Sequence, residues 1–203
     1  MSASRPSLVL FDLDGVLVHY DRPRRVAALG QALDREPDAV FDALFGATGL
    51  ENRFDAGLLT GDAYLDALSG TLGCRVDEAT WRAARHESMT YDEATHARIA
   101  RLAQRAEVAI LTNNGALVVD ALPPTLVEMI PRARILCSGT TGLCKPAPVA
   151  FLRAIETLGH TAHRTLFLDD NDDNVAGARE AGLYAERVAR PGCFDAILAC
   201  YGL

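Results

Sequence analysis

Four short apolar runs, each ending abruptly in polar residues, constrain this chain more than any other feature of it. Ser7-Leu8-Val9-Leu10-Phe11 leads into Asp12, and Val108-Ala109-Ile110-Leu111 leads into Thr112-Asn113-Asn114. Arg134-Ile135-Leu136-Cys137 leads into Ser138-Gly139, and Thr165-Leu166-Phe167-Leu168 leads into Asp169-Asp170. Unbroken apolar runs of this length suit strands covered on both faces, as in a parallel sheet. Helical patterns lie between them at Thr95 to Arg105, Pro146 to Leu158 and Asp173 to Ala181, the last before Gly182. The alternation predicts an α/β fold with a Rossmann-like, doubly wound parallel sheet.

The alternation fails between Tyr20 and Thr90, where the pattern is helical throughout. Val26, Leu29 and Leu33 follow helical spacing. Val40, Phe41, Leu44 and Phe45 share a face, as do Tyr64, Leu65, Leu68 and Leu72. Pro37 suits a first helical turn, and Thr60 and Asp77 suit N-caps. This predicts about four helices inserted after the first strand. A chain of 203 residues has room for one sizeable core and a small second module. The expected organisation is a catalytic core of residues 1–18 and 92–203 with a helical cap at 19–91.

Charge narrows the partners. The formal charge is −7, with 23% charged residues, so no basic field exists for nucleic acid. The stretch Met1 to Ser7 lacks the apolar segment of a secretion signal, and Leu8 to Val18 is short and broken by two aspartates. No membrane segment is expected, and the default location is the cytoplasm. Cys74, Cys137, Cys144, Cys193 and Cys200 form no CxxC pair and are odd in number, so reduced thiols are expected.

In an open parallel sheet, ligands bind at the carboxyl ends of the strands. Asp12, Asp14, Thr112, Asn113, Lys145, Asp169 and Asp170 therefore converge, although they span most of the chain. Aspartates crowded this way repel one another by about a few kcal/mol per pair, and a hard divalent cation removes the conflict. Asp172 and Asp173 read more simply as turn and helix-start residues. A carboxylate can attack phosphorus and form an aspartyl-phosphate, given an acid for the leaving oxygen and positive charge for the transferring group. Asp12 and Asp14 are two apart, so on a strict strand both point to one side, and Gly15 lets the backbone turn away. Thr112 can donate to a phosphoryl oxygen with the Asn113 amide beside it, and Lys145 can offset the charge of Asp12 and the phosphate. Pro146 suits a helix start.

Four motifs resemble those of the haloacid dehalogenase-like hydrolase superfamily, and the resemblance covers almost the whole chain. Leu8 to Leu17 matches hhhhDxDGhL, and Ile110-Leu111-Thr112-Asn113 matches the strand ending in Thr or Ser. Gly142 to Phe151 matches G-x-x-K-P-x-P-x-x-F, with Ala147 where KPDP is common. Phe167 to Val175 matches hhhDDxxxNV. The stretch from Asp55 to Tyr64 also resembles the helical cap of the subfamily whose cap follows strand one. The resemblance implies a magnesium-dependent phosphatase acting on a small phosphorylated metabolite, with sugar phosphates as the leading class. It implies Asp12 as nucleophile and magnesium ligand, and Asp14 as acid/base giving a main-chain carbonyl to the metal. Asp170 is then the third metal ligand, Thr112, Asn113 and Lys145 hold the phosphoryl group, and Asn174 reaches the metal through water.

Alternative readings carry less. True dehalogenases of this family lack the acid/base aspartate, so Asp14 argues for phosphate chemistry. A sugar-phosphate mutase shares every motif and differs in what the cap admits. A receiver domain has the wrong motif order, and a silent binding protein does not explain the full set of motif residues. His160 and His163 read as loop residues without further ligands. Arg22, Arg24 and Arg25 read as a solvated cap-helix face, Trp81, Phe41, Phe45 and Tyr64 as cap core, and Cys144 as incidental.

Overall fold

The structure is a computed structural model that describes residues 5–203. Residues 1–4, which open both the expected core and the stretch inspected for a secretion signal, lie outside it. Five parallel strands form the central sheet: β1 (Leu8–Phe11), β4 (Glu107–Thr112), β5 (Ile135–Cys137), β6 (Thr165–Asp169) and β7 (Tyr184–Arg187). Their spatial order is β5-β4-β1-β6-β7, so the chain steps outward from β1 on one side and then returns to step outward on the other. The reversal falls between β1 and β6, which makes their carboxyl ends the natural ligand crevice.

Alternation along each strand divides the core into two. Val9, Phe11, Ile110, Leu166 and Leu168 face one side, and Leu8, Leu10, Ala109, Leu111 and Phe167 the other. All four residues of β1 are fully buried, which is why its sequence reads as a continuous apolar run. Each such side chain contributes about 1.5–3 kcal/mol on burial. The second face is covered by the helices Pro148–Thr157 and Asp172–Glu180, through Phe151, Ala154 and Val175. The first face packs against α6 (Glu93–Ala103) and merges with the core of the inserted helices.

The insert holds five helices rather than four: α1 (Arg22–Leu33), α2 (Pro37–Phe45), α3 (Leu50–Asp55), α4 (Gly61–Leu72) and α5 (Glu78–Glu87). The fifth, α3, is only six residues long, too short to show a helical period in sequence. Pro37 opens α2, and the Thr60 and Asp77 side chains accept from the amides of Ala63 and Thr80, capping α4 and α5. Two short strands, β2 (His19–Tyr20) and β3 (Met89–Thr90), pair antiparallel where the chain enters and leaves the insert. At two residues each they lie below the length at which a strand pattern can be read.

Three local expectations need correction. The helix after Lys145 starts at Pro148, while Pro146 follows a cis Lys145–Pro146 bond outside it. Phe41 is exposed and Phe45 only half-buried, whereas Tyr64 and Trp81 are buried as expected. Arg25 is buried, while Arg22 and Arg24 are exposed. Arg25 follows the apolar stripe of α1, four residues before Leu29, and its buried partner Glu51 comes from α3. All five cysteines are free. No helix of the described residues is long and apolar enough to cross a membrane.

Candidate active site

The crevice between β1 and β6 gathers the acidic residues around one lysine. Asp12 follows the last residue of β1, and its amide donates to the Leu168 carbonyl, which fixes it beside β6. Lys145 Nζ lies 2.8 Å from Asp12 Oδ1 and 2.7 Å from Asp169 Oδ2. Lys145 and Asp169 are both fully enclosed. Burial pushes the Asp12 carboxyl up to about 7, against the pull of Lys145 and with the help of Asp169 and Asp14. Burial alone would lower the Lys145 ammonium, but Asp12 and Asp169 outweigh it and hold it above its ordinary value.

Asp169 is the group that sequence reasoning left without a role. Asn174 Nδ2 donates to both of its oxygens, at 3.1 and 3.0 Å, and the Asn171 amide donates to Oδ1 at 2.8 Å. Asp169 is therefore a fixed counter-charge for Lys145. Alternation along β6 supplies the reason, because neighbouring residues of a strand point to opposite sides. Asp170 leaves the sheet end on the exposed side, where burial and Asp169 raise its carboxyl. Asn171 caps the following helix, with its side chain accepting from the Asp173 amide, and Asp172 and Asp173 occupy the first turn.

Asp12, Asp169 and Asp170 each offer a carboxylate oxygen, and these oxygens lie within 4.8 Å of one another. One lysine cannot balance three such carboxylates. The donor set is all oxygen and suits a hard divalent cation such as magnesium. Gly15 lets the carboxylates approach. Its φ is +84°, and a Cβ there would lie 2.3 Å from Asp170 Oδ2, so any side chain would displace the carboxylate.

Asp14 is not placed by strand alternation, because β1 ends at Phe11 and the chain turns tightly from Leu13 to Val18. Its side chain meets the insert instead. Arg85 of α5 reaches across from the helical module, and its Nη2 lies 2.8 and 2.6 Å from the two oxygens of Asp14. Asn114 Nδ2 donates to Asp14 Oδ2 at 3.1 Å and to Thr112 Oγ1 at 2.7 Å. Thr112 is buried, with its hydroxyl proton left to donate elsewhere. The Asn113 side chain turns the other way, donating to the Lys145 carbonyl at 2.8 Å and accepting from the Lys145 amide at 2.9 Å. These two contacts fix the lysine backbone, and Asn113 also lines the cavity between the insert and the sheet.

Arg85, Asn114 and Asp55 carry no site role in the sequence reading, and Asp169 is placed there without one. Arg85 lies four residues after Trp81, on the buried face of α5, and that spacing was the available signal. Asp55 Oδ1 accepts from the Gly115 amide at 2.7 Å, and Ser138 donates to the Asp55 carbonyl, which joins α3 to the ends of β4 and β5. A cavity of about 210 Å³ lies between the insert and the sheet, lined in part by Asp14, Tyr20, Arg25, Glu51, Arg85 and Asn114. His160, read as a loop residue, lies 2.6 Å from Glu107 and 3.2 Å from Ser7, far from these groups in role and joined to the opposite sheet end.

Comparisons with known proteins bear on the family and the fold. The family model described as haloacid dehalogenase-like hydrolase matches residues 6–182. A Mycobacterium tuberculosis protein named Phosphatase MT3486 is 38% identical over 42% of this chain, a match spanning only 40% of that protein. A predicted haloacid dehalogenase-like family hydrolase from Porphyromonas gingivalis superposes with a TM-score of 0.77 at 21% identity, covering 97% of this chain and 98% of the other. A family enzyme from Bacteroides thetaiotaomicron, solved with magnesium and inorganic phosphate, gives 0.71 at 20% identity, covering 90% and 93%. The L-2-haloacid dehalogenase of Xanthobacter autotrophicus gives 0.63 at 23% identity, covering 91% and 78%. At these identities the structural likenesses establish the fold.

Proposed function

The chain belongs to the haloacid dehalogenase-like hydrolase family, and from that premise we propose that it is a magnesium-dependent phosphatase of small phosphorylated metabolites. The observation that carries this reading is the excess of carboxylate over positive charge at the crevice, three acidic groups around one lysine. An anionic substrate adds further negative charge, so the site balances only with a cation present. The Bacteroides enzyme solved with magnesium and phosphate supports the same pairing of metal and ligand.

In this reading residues 1–18 and 92–203 form the catalytic core and residues 19–91 a cap that closes over it. Asp12, Asp170 and the main-chain carbonyl of Asp14 would hold the magnesium, which would supply positive charge to the phosphoryl oxygens. Asp12 Oδ1 is engaged by Lys145 and by the Leu13 amide at 2.7 Å, so Oδ2 is the oxygen that attacks. A bond forms from Asp12 to phosphorus as the bond to the leaving oxygen breaks, and Asp14 gives that oxygen a proton. Asp14 then takes a proton from water, which attacks the aspartyl-phosphate and releases phosphate and free Asp12. Thr112 and Lys145 hold the phosphoryl oxygens, and Asn113 serves them by fixing Lys145. Water exclusion by the cap protects the intermediate between the two steps.

Asp14 also favours this reading over dehalogenation, whose first step expels a halide that needs no proton. A screen of small phosphate monoesters and 2-haloacids, each with magnesium and with chelator, tests the proposal. Magnesium-dependent release of phosphate is expected. Halide release without phosphatase activity would contradict it.

A further inference from the structure

We infer that Arg85 is the cap's positioning residue for Asp14, so that both oxygens of the acid/base are held only while the cap is shut. The inference rests on the phosphatase reading above and adds a residue that the family motifs do not contain. Arg85 is 1% exposed, yet it lies on α5 of the insert and spans the gap to the loop after β1. A buried arginine without a partner is costly, and among the described residues the carboxylate it pairs with at ion-pair distance is Asp14. The aromatic face of Tyr20, on β2 of the ribbon joining insert and sheet, lies 4.1 Å from its guanidinium carbon and limits its freedom. Asn114 closes the arrangement by accepting from Arg85 Nη2 at 3.4 Å while donating to Asp14 and Thr112.

Arg85 thus sees the ribbon, the acid/base and the end of β4 at once. Opening the cap withdraws α5, and Asp14 then loses the contact that holds both of its oxygens. Because one nitrogen, Nη2, makes both contacts, one carboxylate oxygen can turn to the leaving group while the other stays bound. The same point predicts that a lysine, with its single donor nitrogen, fills much of the role.

Steady-state kinetics with magnesium on p-nitrophenyl phosphate and β-glycerophosphate test this in Arg85→Met, Arg85→Lys, Asp14→Asn and Arg85→Met/Asp14→Asn. For Arg85→Met, kcat on β-glycerophosphate is expected to fall about 10²-fold with KM changed less than about 5-fold. Arg85→Lys should recover at least about 10-fold of that loss. In the Asp14→Asn background, Arg85→Met should remove less than about 3-fold more, because its effect runs through Asp14. A rise in KM at constant kcat, or full additivity of the two substitutions, would overturn the inference. Hydrogen exchange at the β2 and β3 amides provides a readout without turnover. Arg85→Met and Asp14→Asn should speed that exchange equally, and the double variant no further. Independent effects on exchange would overturn the inference even if no ester were hydrolysed, whereas a wild-type protein inert to every ester would count against the phosphatase reading.

Discussion

Two buried ionic clusters, one at the end of the sheet and one inside the helical insert, differ in a way that separates chemistry from scaffolding. In the insert, Arg25 Nη1 lies 2.5 Å from Glu51, Glu51 also accepts from the Tyr64 hydroxyl, and that hydroxyl accepts from Trp81 Nε1 at 3.0 Å. Charges there are matched one to one, and the guanidinium lies 5.0 Å from the Trp81 ring centre. At the sheet end, Lys145 faces Asp12 and Asp169 with Asp170 beside them, so acid exceeds base. A balanced cluster holds the insert in shape. An unbalanced one leaves excess acid that a cation must offset, which in the proposed reading is the magnesium that accompanies a phosphate ester.

Substitutions that strike one cluster and spare the other test this contrast. The largest effect is expected from Asp12→Asn, which should lower phosphate-ester turnover by about 10⁴-fold or more while the protein stays folded, checked by kinetics and circular dichroism. Retained turnover would place the nucleophile elsewhere. Next come the two bases. Lys145→Met and Arg25→Met each strand buried carboxylate and should each reduce unfolding free energy by about 3–5 kcal/mol, measured by urea titration. The contrast lies in their response to magnesium. It should restore part of the loss for Lys145→Met and none for Arg25→Met.

Smaller again is the magnesium effect on the wild-type protein. Saturating magnesium should raise the melting temperature by several degrees, by linkage of about 2–4 kcal/mol. Asp170→Asn should abolish most of that rise, and Glu51→Gln, although destabilising, should leave its size unchanged. The smallest effect concerns Asp55, whose carboxyl is pushed up to about 7 by burial and by Glu51, against the Gly115 amide. A carboxyl raised in the folded state favours folding below its ordinary value near 3.8 and loses that contribution as pH climbs to about 7. In chelator, melting temperature should therefore decline across this window. Asp55→Asn keeps an acceptor for Gly115 and should flatten the decline by a few degrees.

The same contrast explains which parts were legible in sequence. The sheet-end residues follow continuous apolar strands, so Asp12, Thr112 and Asp170 are marked by where the runs stop, and Lys145 by its motif. Asp169 was visible but unassigned, because only the fold shows it turned back to the lysine. The insert hides its charges. Arg25, Glu51 and Arg85 sit on short amphipathic helices, where arginine and glutamate ordinarily signal solvent, and their partners come from other helices. Strand β7 escaped notice because Tyr184-Ala185-Glu186-Arg187 is an edge strand with polar residues and not an apolar run. The ribbon of β2 and β3 is too short to carry a pattern at all.

The central claim is covalent catalysis at Asp12 driven by the unbalanced cluster. Acid-quenched intact-mass spectrometry, during turnover of a phosphate ester with magnesium, tests it most directly. One phosphoryl group should appear on the wild-type chain, map to the peptide containing Asp12, and disappear when substrate is exhausted. Turnover with no phosphoryl adduct under any quench, or an adduct on another residue that survives Asp12→Asn, would contradict it.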